Sequence, residues 1–154
     1  MEHEQDMKKL PLILAGAIAL GATASVSADQ FEDAVNYRKA AFRLMKANFG
    51  PMGAMVEGKM PFDKDVFARR AANLSALADM PWEHFIEGSD MGETKAKPEV
   101  WSKAADYKAE VDKFESAVAE LAVVAKSDDQ KAIKAAFGAT AKTCKSCHDD
   151  FKNK

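Results

Sequence analysis

Apolar residues along this chain recur at spacings of three, four and seven, and no stretch alternates apolar with polar. That pattern leaves no material for a sheet and asks for helices, each with one face to bury. Phe31, Val35, Phe42, Met45 and Phe49 mark a first stripe, which Gly50-Pro51 should end or kink. The Met- and Gly-rich connection from Met52 to Met60 either links it to the next helix or prolongs it. A second stripe opens after Asp63, a predicted N-cap, and carries Val66, Phe67, Leu74 and Leu77 before Pro81 stops it. The polar segment from Glu87 to Lys97 reads as the longest loop. Pro98 suits a first helical position, and Trp101, Ala104, Val111, Phe114, Val118 and Leu121 stripe a third helix, predicted to be the longest. Ser127-Asp128-Asp129-Gln130 has the form of a capping box. It opens a fourth helix striped by Ile133, Phe137, Ala141, Cys144, Cys147, His148 and Phe151. Composition agrees, with 29 alanines against 17 Val, Ile and Thr in 154 residues. The expected fold is all-α, an antiparallel four-helix bundle in one domain.

The first residues are read differently. Met7-Lys8-Lys9, the apolar run Leu10 to Leu20 and the small-residue site Val26-Ser27-Ala28 form a secretory signal peptide over residues 1–28, with Met7 an alternative start. The apolar run is shorter than the roughly 20 residues a membrane span needs. Residues 29–154 are then an exported domain with no stable membrane anchor, and the periplasm is its expected address. A net charge of −2 offers no basic excess for replacing counterions, so nucleic acid is excluded as a partner.

Cys144-Lys145-Ser146-Cys147-His148 is the attachment signature of c-type haem. Two thiols separated by two residues can add to the two vinyl groups on one porphyrin edge, while the adjacent imidazole reaches the iron. At about 100° per residue, Cys147 and His148 fall roughly 60° and 40° to either side of Cys144, so all three share one helix face. Phe137 and Phe151, seven residues to either side, continue that face and should cover the macrocycle. A dithiol redox pair would want a helix N-terminus, whereas these cysteines lie near a C-terminal end, where the dipole opposes a thiolate. Zinc would need four ligands, and only His3 and His84 remain to complete a set. One covalent haem c per chain is the reading, with His148 as axial ligand. Spacing alone does not choose what fills the sixth position among His84, Met45, Met52, Met55 and Met60, or leaves it empty. His84, next to a helix stop, reads as a solvent-edge residue, and the methionines as packing residues.

A C-terminal CxxCH on the last of four helices closely resembles the cytochrome c′ family. The likeness extends to Tyr37-Arg38-Lys39-Ala40-Ala41-Phe42, Pro81-Trp82, the run from Thr94 to Trp101, and Asp149-Asp150-Phe151-Lys152. The resemblance implies that Arg38 approaches a haem propionate and that Phe42, four residues on, closes the distal face. It places further haem contacts at Lys39, Thr94 and Lys95. Low-spin relatives carry a methionine ligand where Phe42 stands. Phenylalanine cannot ligate iron, so five-coordinate, high-spin iron is expected. A cation on the proximal side corresponds to Lys152, which keeps the charge of the commoner arginine without its planar fork; so near the chain end, fraying is expected. Trp82 and Trp101 pack near the haem edge or fill the core.

Two functions are consistent with this site. One is a gas-binding protein for nitric oxide and carbon monoxide, with Phe42 crowding the distal face and proximal capture beside Lys152. The other is an electron carrier, whose exposed haem edge and Lys142, Lys145 and Lys152 meet an unidentified periplasmic redox partner; its low-spin form would have Met45 or His84 as sixth ligand. Enzymatic chemistry of the peroxidase kind lacks a distal acid or base at Phe42. The resemblance also implies a homodimer through the first two helices, where Phe49, Met52, Met55, Met60 and Phe62 would suit an apolar interface or a loop packed on the bundle.

Overall fold

The computed structural model describes residues 24–154, with side chains from Asp29 onward. The apolar run of the expected signal segment lies outside the described residues. Among the described residues five helices succeed one another: α1 (Ala24–Val56), α2 (Lys64–Leu77), α3 (Glu99–Ser102), α4 (Ala104–Val124) and α5 (Gln130–Phe151), with a 3₁₀ turn at Trp82–His84. No strand occurs among the described residues; one isolated antiparallel bridge joins Ala96 and Lys152. The four long helices close an antiparallel bundle, α1 packing on α2, α2 on α4 and α4 on α5, while α1 and α5 meet over a shorter stretch. Among the described residues no helix is long and apolar enough to cross a membrane.

Helix α1 does not stop at Gly50. It runs through Pro51, which lies inside the helix. A helical proline removes one N–H and frees the carbonyl four residues earlier, here that of Ala47. Arg70 Nη1, from α2, donates to Ala47 O at 3.1 Å and takes over the orphaned acceptor. Beyond the proline, Met52 and Met55 are buried, so the prolonged turns add core contacts. Gly58 then ends the helix with φ +73°. Its N–H donates to Met55 O and the Lys59 N–H to Ala54 O, a double closure that needs a left-handed residue. Met52 and Met55 therefore belong to the core, and the partly buried Phe49 ring packs against it, stacked on Phe137 at 4.3 Å.

Helix α2 starts as expected, with Asp63 accepting from the Val66 N–H at 2.9 Å. The expected capping box of α5 is displaced by two residues. Asp129, not Ser127, is the N-cap, and its carboxylate accepts from Lys131 and Ala132 N–H at 2.9 and 3.0 Å. A charged acceptor answers the helix dipole better than a hydroxyl, and the Ser127 Oγ instead takes the Asp129 N–H. The third helix is also broken, at Lys103, where φ is −120° and ψ is 47°. The break lets Trp101 Nε1 donate to Phe85 O at 2.9 Å and re-phases the turns of α4. Ala104 is exposed in consequence, and Tyr107 takes its place in the stripe.

The core runs through Phe67, Met52, Leu74, Leu121, Ile133 and Val118, all fully buried, each contributing roughly 1.5–3 kcal/mol by leaving water. Thr140, also fully buried, donates to Ala136 O and Ala117 O at 3.0 and 3.2 Å, which ties α5 to α4 without an unsatisfied hydroxyl.

Candidate functional site

One end of the bundle is built from aromatic rings around a buried cation. Arg38, on α1, is 3% exposed. Its Nη1 donates to Ser89 Oγ at 2.7 Å and His84 O at 3.1 Å; its Nη2 donates to Ser89 O at 2.9 Å and Thr94 Oγ1 at 3.1 Å. The guanidinium lies 4.3 Å over the Phe85 ring. All four acceptors are neutral. Burial pushes the Arg38 pKa below its ordinary value, and no carboxylate partners it among the described residues. A buried cation without a counter-anion is costly, and an anionic group bound at this end would offset that cost.

The loop that supplies these acceptors is shaped for the task. Gly88 has φ +84°, and a Cβ there would crowd the Phe31 ring at 3.1 Å, so this position favours glycine on both counts. Just beyond it, Ser89 is fully buried and donates from Oγ to Ile86 O while accepting from Arg38. Thr94 Oγ1 accepts a second bond, from the Ala96 N–H at 3.1 Å. Lys39 points elsewhere: its Nζ donates to Glu93 O and lies 3.7 Å from the Glu93 carboxylate at the surface. Lys95 is exposed, its carbonyl accepting from the Asn153 N–H at 2.8 Å.

One turn beyond Arg38, the half-buried Phe42 meets Trp82 and Phe85 edge-on, with ring centroids 5.7 and 6.4 Å away. Phe85, Trp82, Tyr107 and Phe151 continue the cluster at 5.3–6.3 Å, while Trp101 tilts against Phe85 at 6.4 Å. Trp82 Nε1 and the Tyr107 hydroxyl are buried without a hydrogen-bond partner among the described residues. Burial, joined by the nearby Cys147, pushes the Tyr107 phenol well above its ordinary pKa, while Arg38 opposes the shift. Tyr107 thus stands within electrostatic reach of both the buried cation and the cysteine helix.

Cys144 and Cys147 are free thiols, each half-buried on the last turns of α5. Burial pushes the Cys144 pKa up, and Cys147 rises to about 11 through burial and then the charges of Glu110, Cys144 and Asp150. Such thiols are poor thiolates, which disfavours dithiol redox chemistry in the same direction as the helix dipole. His148 lies at the surface beside Cys147. Desolvation and the Lys152 cation lower its pKa, against the pull of Asp149, which favours the neutral imidazole over the charged one. Lys152 is not frayed: its N–H donates to His148 O, and it pairs with Ala96.

The other sequence candidates are engaged elsewhere. Met45 is buried in the core cluster, and the His84 ring stacks on Tyr37 at 3.7 Å with Nε2 3.4 Å from Glu83. Phe137 packs on Phe49 and Phe67 toward the other end of the bundle, whereas Phe151 meets Tyr107 edge-on. Sequence reasoning misses Ser89, Phe85 and Tyr107. Tyr107 carries a signal, lying three residues after Ala104 and four before Val111; Ser89 sits in a polar loop and carries none.

Two thiols and an imidazole on one helix face, orphaned polar atoms in an aromatic cluster, and a buried arginine lacking an anion together fit a covalently held haem with its carboxylate side chains. Comparison with known proteins agrees. A family model described as Cytochrome C' matches residues 33–152. The chain is 48% identical over 123 residues to the cytochrome c' of Rubrivivax gelatinosus, covering 79% of this chain and 95% of that one. Among solved structures, the cytochrome c prime from Shewanella frigidimarina is 50% identical with a TM-score of 0.79, covering 80% of this chain and 97% of its own. A nitric oxide complex of a variant of the cytochrome c prime from Alcaligenes xylosoxidans is 36% identical, with a TM-score of 0.75 over 80% of this chain and 96% of that one. A carbon monoxide-bound variant of the same protein matches equally well in identity and TM-score. The chain belongs to the cytochrome c′ family, whose cofactor is covalently attached haem c.

Proposed function

We propose that this chain is an exported gas-binding cytochrome in which Cys144 and Cys147 carry the haem as thioethers, His148 supplies the single axial bond, and Phe42 closes the opposite face. Haem c bound there supplies an iron that can take up small diatomic gases and exchange single electrons. The observation that carries the reading is Phe42 itself: a side chain with no lone pair, set one helical turn from the buried Arg38 and packed among Trp82 and Phe85. Its ring excludes water and crowds the distal approach, so carbon monoxide meets more resistance than it would at a smaller side chain. Arg38 supplies the countercharge for a propionate, and Thr94 holds Arg38 in place. Lys39, held at the surface by Glu93, and the exposed Lys95 stand outside this network, while Lys152 sets a cation beside the proximal imidazole. The solved nitric oxide and carbon monoxide complexes of variants of the Alcaligenes protein support these gases as ligands.

The electron-carrier reading draws less support, since Lys145 is paired with Asp149 on its own helix and reads as a solvated face. We assign export to residues 1–28 and the periplasm as the address. The homodimer contact we place on the outer face of α1 and α2, where Leu44 is 52% exposed between Ala40 and Ala47. The test of the distal assignment is Phe42→Ala in the haem-loaded protein. Carbon monoxide should bind about tenfold faster or more, equivalent to relieving about 1.4 kcal/mol of crowding. An unchanged on-rate and affinity would remove Phe42 from the distal face.

A further inference from the structure

The last four carbonyls of a helix have no partner within it. In α5 these belong to His148, Asp149, Asp150 and Phe151. The first accepts from the Lys152 N–H at 3.3 Å. The other three converge on one residue of the long loop. Lys97 Nζ donates to Asp149 O at 2.9 Å and to Asp150 O at 3.1 Å, and the Lys97 N–H donates to Phe151 O at 3.0 Å.

The neighbourhood reinforces this clasp. Ala96 bridges Lys152, and the Asn153 N–H donates to Lys95 O at 2.8 Å, so residues 95–97 run as an extended strap along the end of α5. Pro98 comes directly after, and a residue before proline is biased to the extended backbone such a strap needs. A cation is also what the negative end of a helix dipole favours. Lys113, which lines the same cleft, is committed to Glu110 at 2.6 Å. At its other end the strap joins Thr94, which Arg38 holds.

We propose that Lys97, reaching from the loop, caps the C-terminal carbonyls of the haem-bearing helix and is a positioning residue for His148, fixing the turn from which the imidazole projects. The proposal rests on the reading of His148 as axial ligand. Lys97→Met removes both side-chain donors, Lys97→Arg keeps them, and Lys103→Met is a control in the same cleft. In the haem-loaded protein, amide hydrogen exchange at Lys152 and Asn153 should speed up about tenfold in Lys97→Met and stay within about twofold of the parent in Lys97→Arg, as expected for hydrogen bonds from a charged donor. The iron–histidine stretching line of the reduced protein, read by resonance Raman, should shift or broaden in Lys97→Met and hold in the arginine and control variants. Should Lys97→Met not accumulate, Lys97→Gln, which keeps a donor and drops the charge, should move both readouts the same way by less. Lost thermal stability with an unmoved iron–histidine line would overturn the positioning role. Absence of that line from the unsubstituted protein would overturn the reading of five-coordinate iron held by His148, and with it the basis of this proposal.

Discussion

Phe42 and Arg38 show how much two residues one turn apart can decide. Their i, i+4 spacing puts a cation and an aromatic ring on one helix face, which is readable from the sequence. What the spacing cannot show is that Arg38 is buried, because its acceptors on His84, Ser89 and Thr94 arrive from a loop some fifty residues away. Phe85 and Tyr107 escape for the same reason: ring contacts between distant segments leave no local period. Phe42→Met places a thioether where the ring now stands, and the expected outcome is a low-spin visible spectrum that no longer responds to carbon monoxide. Arg38→Leu strips a donor from four acceptors and should cost about 3 kcal/mol in urea unfolding. A loss under about 1 kcal/mol would mean that this network is not holding the loop.

The helices are legible as stripes, and their ends are less so. Gly50-Pro51 looks like a terminator because proline removes a donor, yet Arg70 on α2 repairs the damage at Ala47 and the buried Met52 and Met55 reward continuation. No local rule contains that arginine. Replacing Arg70 by Ala should cost about 1 kcal/mol, the usual net worth of one hydrogen bond, and should raise hydrogen exchange in the turn around Pro51. The capping-box pattern sets the cap of α5 two residues early, since serine and aspartate compete for that position and the carboxylate wins. Asp129→Ala is expected to lose about 1 kcal/mol of unfolding free energy, while Ser127→Ala should lose far less. Equal losses would restore Ser127 as the cap.

At the scale of the whole bundle, the sequence announces four packed helices and a C-terminal cysteine pair, and the chain folds so that the thiols, the imidazole and the aromatic end lie near one another. Burial makes the Tyr107 phenol reluctant to ionise, so the unfolded chain releases its proton near pH 10 while the folded chain holds it. The folded state therefore binds more protons above that pH, and stability should fall as pH rises beyond 10. Tyr107→Phe should flatten that alkaline slope in urea titrations. The central claim, that Phe42 leaves the iron with one protein ligand, meets its most direct test in the visible spectrum of the reduced haem-loaded protein before and after carbon monoxide. The account predicts a broad, unsplit band in the green that carbon monoxide shifts. A sharp, split band unmoved by carbon monoxide would mean a sixth protein ligand, and would contradict it.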